Sequence, residues 1–265
     1  MDAIRAILDK YTELEVIFFL CTCINAFGIL TALLLQCLKA EYGRYFNSKS
    51  EARWGWGVNA KFAWFTQETP MLALPVYYML STGRLGWNPN SVLLSFIIIH
   101  YFRRVFIYSF QLKGGKPTPI SLWLMCIVYT LTNGYIHGRY FTEYAKYDKK
   151  WLSDPRFLCG TLMFFTGLFL NIQSDNILTS LRKPGEVGYK IPRGGLFEYV
   201  SGANFCSEIL EWSGFALASF SYPGFTYAFF TLCNVGPRAI QHHKFYVEKF
   251  EDYPKSRKAL IPWLL

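Results

Sequence analysis

The sequence predicts an all-α integral membrane protein, a seven-transmembrane-helix bundle enclosing a cavity, with its N-terminus lumenal and its C-terminus cytosolic. Three observations lead there. Of 265 residues, 52% are hydrophobic and only 17% charged, against about 25% charged in soluble domains, so charged side chains are too few to cover a globule. Long charge-free stretches recur along the chain. Lysine and arginine collect on alternate sides of those stretches. The 19% aromatic content excludes a disordered chain, which needs low hydrophobicity and few aromatics. Seven cysteines are too sparse, and odd in number, for a disulfide scaffold.

Residues 16–38 form the first stretch, 23 residues without a charge. That is about 34 Å of helix against a hydrocarbon core of about 30 Å. Acidic residues precede it and no small-residue cleavage site follows, so it is expected to be a span rather than a cleaved signal. Further spans are expected at 62–80, 91–112, 120–136, 157–172, 199–220 and 222–235. The last is only 14 residues long, and Pro223 and Gly224 leave almost no loop before it. No repeat or low-complexity tract interrupts them, and residues 1–265 read as a single membrane domain. With Arg103 and Arg104 set aside inside the third span, 17 lysines and arginines fall on one side and 8 on the other. The positive-inside rule makes the richer side cytosolic. The net charge of +9 is therefore mostly a topology signal, and neither a nucleic-acid partner nor an obligate protein partner is expected.

Cys21, Cys23, Cys37, Cys126, Cys159, Cys206 and Cys233 all lie in or beside apolar stretches, without a CxxC pair. Buried free thiols are expected, with no metal site and no disulfide. The run Gly55-Trp56-Gly57-Val58-Asn59-Ala60 matches a dinucleotide-binding pattern but lacks the strand and βαβ context such a pattern needs. It is read as chance.

Ionisable groups inside a span are costly and mark candidate sites. The second stretch carries Gln67 and Glu68, the third His100, Tyr101, Arg103 and Arg104, and the sixth Asn204, Glu208 and Glu211. The last three recur at i, i+4 and i+7, one stripe on one helix face. In the expected topology Glu68 lies about 10 Å and Glu208 about 13 Å from the cytosolic end, with Tyr101 at about 5–17 Å. Interhelical hydrogen bonding would account for one such carboxylate; several at one depth point to a site. A second polar set lies at the cytosolic ends: Asn171 and Asp175 at i, i+4; a Gly/Pro-punctuated loop with Arg182 and Tyr189; and Arg238, His242 and Tyr246 repeating every four residues. Such cations suit a phosphate-bearing ligand.

Several motifs carry a resemblance. They are Ala63-Trp64-Phe65-Thr66-Gln67-Glu68-Thr69-Pro70, His100-Tyr101-Phe102-Arg103-Arg104, Asn171-Ile172-Gln173-Ser174-Asp175, Leu181-Arg182-Lys183-Pro184-Gly185-Glu186, the run from Ile191 to Phe205, and the tail Phe250-Glu251-Asp252-Tyr253-Pro254-Lys255-Ser256-Arg257-Lys258. Together they closely resemble the steroid 5α-reductase (3-oxo-5α-steroid 4-dehydrogenase) family over nearly the whole chain after the first span. The type 1 branch looks nearest, through Gly114-Gly115-Lys116-Pro117 and Gly188-Tyr189-Lys190-Ile191.

The resemblance implies a seven-helix enzyme of the endoplasmic reticulum membrane whose bundle encloses a cofactor and steroid cavity. It would use NADPH to reduce the Δ4 double bond of 3-oxosteroids of the testosterone and progesterone class. Tyr101, with Glu68 as its partner and Gln67 beside them, would polarise the C3 carbonyl. NADPH would be held by Asn171, Asp175, Arg182, Tyr189, Asn204, Glu208, Glu211, Arg238, His242 and Tyr246, with Lys116 and Arg104 adding charge. Departures from the family pattern are Thr69 where it has Leu and Gln173 where it has His; Met125 follows type 1, where type 2 has Arg. The rival expectations are a reductase of another enone or enoyl lipid (a polyprenol or a very-long-chain thioester), a methyltransferase of related fold, and a non-catalytic lipid-binding membrane protein.

Overall fold

The computed structural model describes residues 11–39, 43–83, 85–112, 116–181 and 188–265. Each of the seven expected stretches falls mainly within a long helix. α1 is Glu13–Cys37, α2 the short Ser48–Trp54, α3 Ala60–Ser81, α4 Pro89–Arg103, α5 Ile120–Arg139, α6 Pro155–Ser180, α7 Ala203–Ser219 and α8 Tyr222–Lys249. α4 runs on through a π-helical turn, Arg104–Tyr108, to Gln111. The only regular sheet among the described residues is an antiparallel pair of two-residue strands, β1 (Gly57–Val58) and β2 (Thr118–Pro119). This is where the Gly55–Ala60 motif falls. Gly55 closes α2 at φ 83°, and Asn59 caps α3 by accepting from the Lys61 and Phe62 N–H groups.

The boundaries correct the expectation at its ends. The stretch that was to stop at Val235 continues to Lys249 through Pro237, because hydropathy marks only the part of a helix that is apolar. Conversely, residues 199–202 lie before α7 and pair with the C-terminal tail instead of extending the helix. Three helices are long and apolar enough to cross a membrane by length and composition: α1, α4 with its extension, and α6. Side chains such as Phe19, Leu33, Leu162 and Phe169 point outward from α1 and α6, as lipid-facing residues would. The thiols depart from expectation for the same reason. Cys21 and Cys233 are buried and Cys206 half-buried, but Cys23, Cys37 and Cys159 are exposed, and Cys126 opens onto the internal cavities.

Packing follows small residues. α6 and α7 form the most extensive helix pair, and Gly167 and Gly214 allow their backbones to touch. A Cβ on Gly167 would sit 2.4 Å from the Glu211 nitrogen, and one on Gly214 2.4 Å from the Phe164 nitrogen. Such close approach is how helices associate where apolar surface alone gives no driving force. The core beside this seam comes from α3, α4, α6, α7 and α8, with Leu93, Phe96, Ile97, Phe164, Trp212 and Phe215 fully or almost fully buried. Phe96 and Phe164 stack at 4.7 Å, a pairing worth about 0.5–1.5 kcal/mol beyond its buried area. At the opposite end of α5, Glu13 accepts from Arg139 at 2.7 and 2.6 Å and from Tyr135 and Tyr144, fastening the start of α1.

Candidate active site

A cavity of 270 Å³ lies among α3, α4, α5, α6, α7 and α8. α3 brings Gln67 and Glu68 to it just ahead of Pro70. Pro70 has no N–H for the Thr66 carbonyl, which loosens this turn; the Thr130 hydroxyl donates to the Gln67 carbonyl at 2.6 Å and ties α5 to it. Gln67 Nε2 donates to Glu68 Oε1 at 3.2 Å, and Arg104 Nη2 lies 3.9 Å from the same oxygen.

α4 supplies His100, Tyr101, Arg103 and Arg104 immediately before and within its π-helical turn, a feature common at functional sites. Consecutive arginines converge on one carboxylate: Arg103 Nη1 donates to Asp175 Oδ2 at 2.9 Å and Arg104 Nη1 is 3.6 Å from it. Arg103 also reaches Asn171 Oδ1 at 3.4 Å, and Asn171 Nδ2 donates to the Asn204 carbonyl at 3.1 Å. Arg104 is held between the rings of Trp64 and Tyr108 at 4.6 and 4.7 Å. A continuous polar chain thus runs from Glu68 through Arg104, Asp175 and Arg103 to Asn171 and the start of α7. Buried charges of this kind persist only when paired.

Ten of the residues given a catalytic or cofactor role from sequence line this one cavity: Gln67, Glu68, Tyr101, Arg104, Asn171, Asp175, Asn204, Glu208, Arg238 and His242, and His100 lines it with them. Four do not. Glu211 is fully buried behind it, its Oε1 2.6 Å from His100 Nδ1. Tyr246 is buried and stacks on Tyr253 at 5.4 Å. Tyr189 packs on Phe245 at 5.3 Å, and Lys116 is exposed, donating to the Phe46 carbonyl at 2.7 Å. Arg182 lies outside the described residues. Tyr101's hydroxyl is hydrogen-bonded to that of Tyr227 on α8. Tyr227 was not among the residues singled out from sequence, although the spacing from Tyr227 through Thr231 and Asn234 to Arg238 and His242 puts it on the stripe already recognised at that helix's far end.

A second cavity, of 320 Å³, is mainly apolar. Phe27, Leu34, Leu35, Leu122 and Met125 line it, and it shares Trp64, Gln67, Tyr129, Phe230, Asn234 and Arg238 with the first. The pair therefore offers an apolar slot that abuts a polar chamber carrying a phenol, carboxylates, amides and guanidinium groups.

The C-terminal tail fixes the wall at the start of α7. Ser201 and Gly202 donate backbone hydrogen bonds to the Lys258 and Ala259 carbonyls at 2.8 and 3.0 Å. Arg257, buried, donates to the Pro192 carbonyl at 2.8 Å and to Glu198 at 3.2 Å. The Gly194 N–H, and then the Arg257 charge, hold the Glu198 carboxyl below its ordinary range. The Ser201 hydroxyl meets His243 Nδ1 and the Tyr253 hydroxyl, each at 2.6 Å. The tail motif seen in the sequence thus clamps the loop from which Asn204 emerges.

Comparison with known proteins follows the same line. Residues 116–265 match the family model described as 3-oxo-5-alpha-steroid 4-dehydrogenase. The chain is 48% identical to 3-oxo-5-alpha-steroid 4-dehydrogenase 1 of Bos taurus over 265 residues, 98% of each chain. It is 49% identical to the Homo sapiens protein of that name over 225 residues, 84% of this chain and 85% of that one. With 3-oxo-5-alpha-steroid 4-dehydrogenase 2 of Rattus norvegicus it shares 47% identity over 243 residues, 87% of this chain and 91% of the other.

Proposed function

The chain belongs to the 3-oxo-5-alpha-steroid 4-dehydrogenase family, and on that premise we propose that this oxidoreductase reduces the Δ4 double bond of 3-oxosteroids with NADPH. The observation that carries the reading is the junction of the two cavities. Gln67 and Trp64 line both, and Glu68 and Tyr101 line the polar one. A rigid apolar ring system fits the slot of Phe27, Leu34, Leu122 and Met125, with its one polar end, a ketone, reaching the phenol and carboxylate.

The residues present suit a dinucleotide phosphate. Asn204 and Glu208 would hold the nicotinamide end, Asn171 and Asp175 the adenosine, and Arg238 with Arg182 the phosphates. Arg104 would add positive charge. When bound, NADPH supplies hydride to C5 of the steroid. The work of the chain's own residues is electrostatic. As electrons move from the C4–C5 double bond toward the C3 oxygen, Tyr101 donates a hydrogen bond where that negative charge develops, a form of stabilisation strongest in a water-poor site. Glu68, held by Gln67 and near Arg104, fixes the polarity of that corner, and a proton drawn from solvent then completes the product at C4. The surrounding Trp64, Tyr129 and Phe230 exclude water from the reacting edge.

The excess of lysine and arginine on one side supports a lumenal N-terminus and a cytosolic C-terminus, and family membership supports placing the seven proposed spans in the endoplasmic reticulum membrane. Detergent-purified protein, NADPH and testosterone test the reading, with wild type compared to Glu68→Gln. Formation of the 5α-reduced product, with at least a hundredfold loss in the variant, about 2.7 kcal/mol, supports it. Tight NADPH binding without steroid turnover would move the assignment to another enone or enoyl lipid. Absence of NADPH binding as well would sink it.

A further inference from the structure

Tyr227 stands in the second turn of α8, and its hydroxyl meets that of Tyr101. Both side chains line the polar cavity and both are buried. A phenol has a single proton to donate and accepts through its lone pairs. Two phenols facing each other therefore use one proton between them and leave the other free. If Tyr101 donated to Tyr227, it would have nothing to offer a carbonyl. If Tyr227 donates, the proton of Tyr101 is free to point into the cavity.

The surroundings favour the second arrangement once a ketone arrives. Among the described residues, the Tyr101 hydroxyl is the sole hydrogen-bond partner of the Tyr227 hydroxyl, the Thr231 hydroxyl donating instead to the Tyr227 carbonyl. The neighbours of Tyr227 are rings: Trp212 at 4.4 Å, His137 at 5.4 Å and Tyr129 at 6.2 Å. The fully buried Trp212 also packs against Tyr101 at 6.2 Å, so one indole presses both phenols together. Glu68, meanwhile, is engaged by Gln67 and lies near Arg104.

We propose that Tyr227 is a positioning residue for the reduction: it donates its proton to the Tyr101 oxygen and so aims the proton of Tyr101 at the substrate's carbonyl oxygen. The proposal rests on the enone-reductase reading. In the chain Tyr227 to Tyr101 to carbonyl, each hydrogen bond polarises the next, so charge growing on the substrate oxygen is shared over two phenols. No proton need leave either tyrosine. Because the effect grows with developing charge, it belongs to the transition state more than to the bound ground state.

Tyr227→Phe keeps the ring and removes only the hydroxyl. With NADPH and testosterone, it should lower kcat about tenfold, equivalent to about 1.4 kcal/mol, with the steroid KM and the NADPH Kd staying within about twofold of wild type. Tyr101→Phe with Tyr227→Phe should be no slower than Tyr101→Phe alone, since Tyr227 acts only through Tyr101. Wild-type kcat in Tyr227→Phe, or an equal further loss in the Tyr101→Phe background, would overturn the proposal while leaving the enone reading intact. A wild-type protein that reduces no Δ4-3-oxosteroid defeats that reading, and this inference with it.

Discussion

One added methyl group at Gly167 should damage the proposed nucleotide side of the site without replacing a polar residue. A Cβ there would lie 2.4 Å from the nitrogen, 2.6 Å from the Cα and 2.7 Å from the Cβ of Glu211. Non-bonded heavy atoms settle at about 3.5–4.0 Å, so the two helices must part by about 1 Å. The atoms in the way are mostly backbone, which leaves no flexible side chain to yield. Gly167 shares its face of α6 with Asn171 one turn on and Asp175 two turns on. Across the seam, Glu211 belongs to the helix that presents Asn204 and Glu208. The displacement therefore opens the two walls of the polar chamber, while Glu68 and Tyr101 stay on α3 and α4. Overpacking of this kind costs about 1–3 kcal/mol of stability, and a misplacement of about 1 Å can cost about a hundredfold in rate. Gly167→Ala should melt at a lower temperature in detergent and bind NADPH about ten- to a hundredfold more weakly by fluorescence titration. Cys159→Ala, on the exposed side of the same helix, is the control and should match wild type. A Gly167→Ala protein with wild-type melting and wild-type NADPH affinity would refute the argument that backbone contact at this seam sets the chamber's width.

Other outcomes follow from the same geometry. Asp175→Asn removes the carboxylate on which Arg103 and Arg104 converge; breaking a buried pair from one side costs about 3–5 kcal/mol, so melting of the nucleotide-free protein should fall by several degrees, and an unchanged melt would show that the pair contributes little. The tail clamp should be pH-sensitive. Burial, and then the nearby Lys258 charge, hold the His243 imidazole below its ordinary value, so below about pH 6.5 the unfolded chain takes up this proton more readily than the folded one. The contribution of this site is thus full above that pH and declines as pH falls through it. Between about pH 7.5 and 5.5, His243→Gln should flatten the fall in melting temperature; an undiminished slope would place the sensitivity elsewhere.

Much of this protein is legible in one dimension because the signals are local. Predominantly apolar stretches of 14 to 23 residues dictate helices, since a chain in lipid must satisfy its backbone hydrogen bonds internally. Stripes such as Asn204, Glu208 and Glu211, or Arg238 and His242, are visible because a helix returns to the same face every 3.6 residues. The motifs around Glu68, Tyr101 and Asp175 resemble those of the 5α-reductases strongly enough to carry the family in the sequence alone. Periodicity even places Tyr227 on the correct face of α8.

What periodicity cannot supply is the partner across the seam. Tyr101 meets Tyr227 across 126 positions of chain, His100 meets Glu211 across 111, and Arg103 meets Asp175 across 72. Those pairings depend on how closely the helices approach and at what rotation, which glycines at α6 and α7, prolines in α3 and the π-helical turn in α4 decide together. Glu211 shows the consequence. Its stripe is read correctly from the sequence, yet the backbone contact at Gly167 turns it into the seam against His100 while Glu208, one turn earlier, faces the cavity. A helix face is a property of neighbouring residues; an active site is a property of the distances between helices, and only packing sets those.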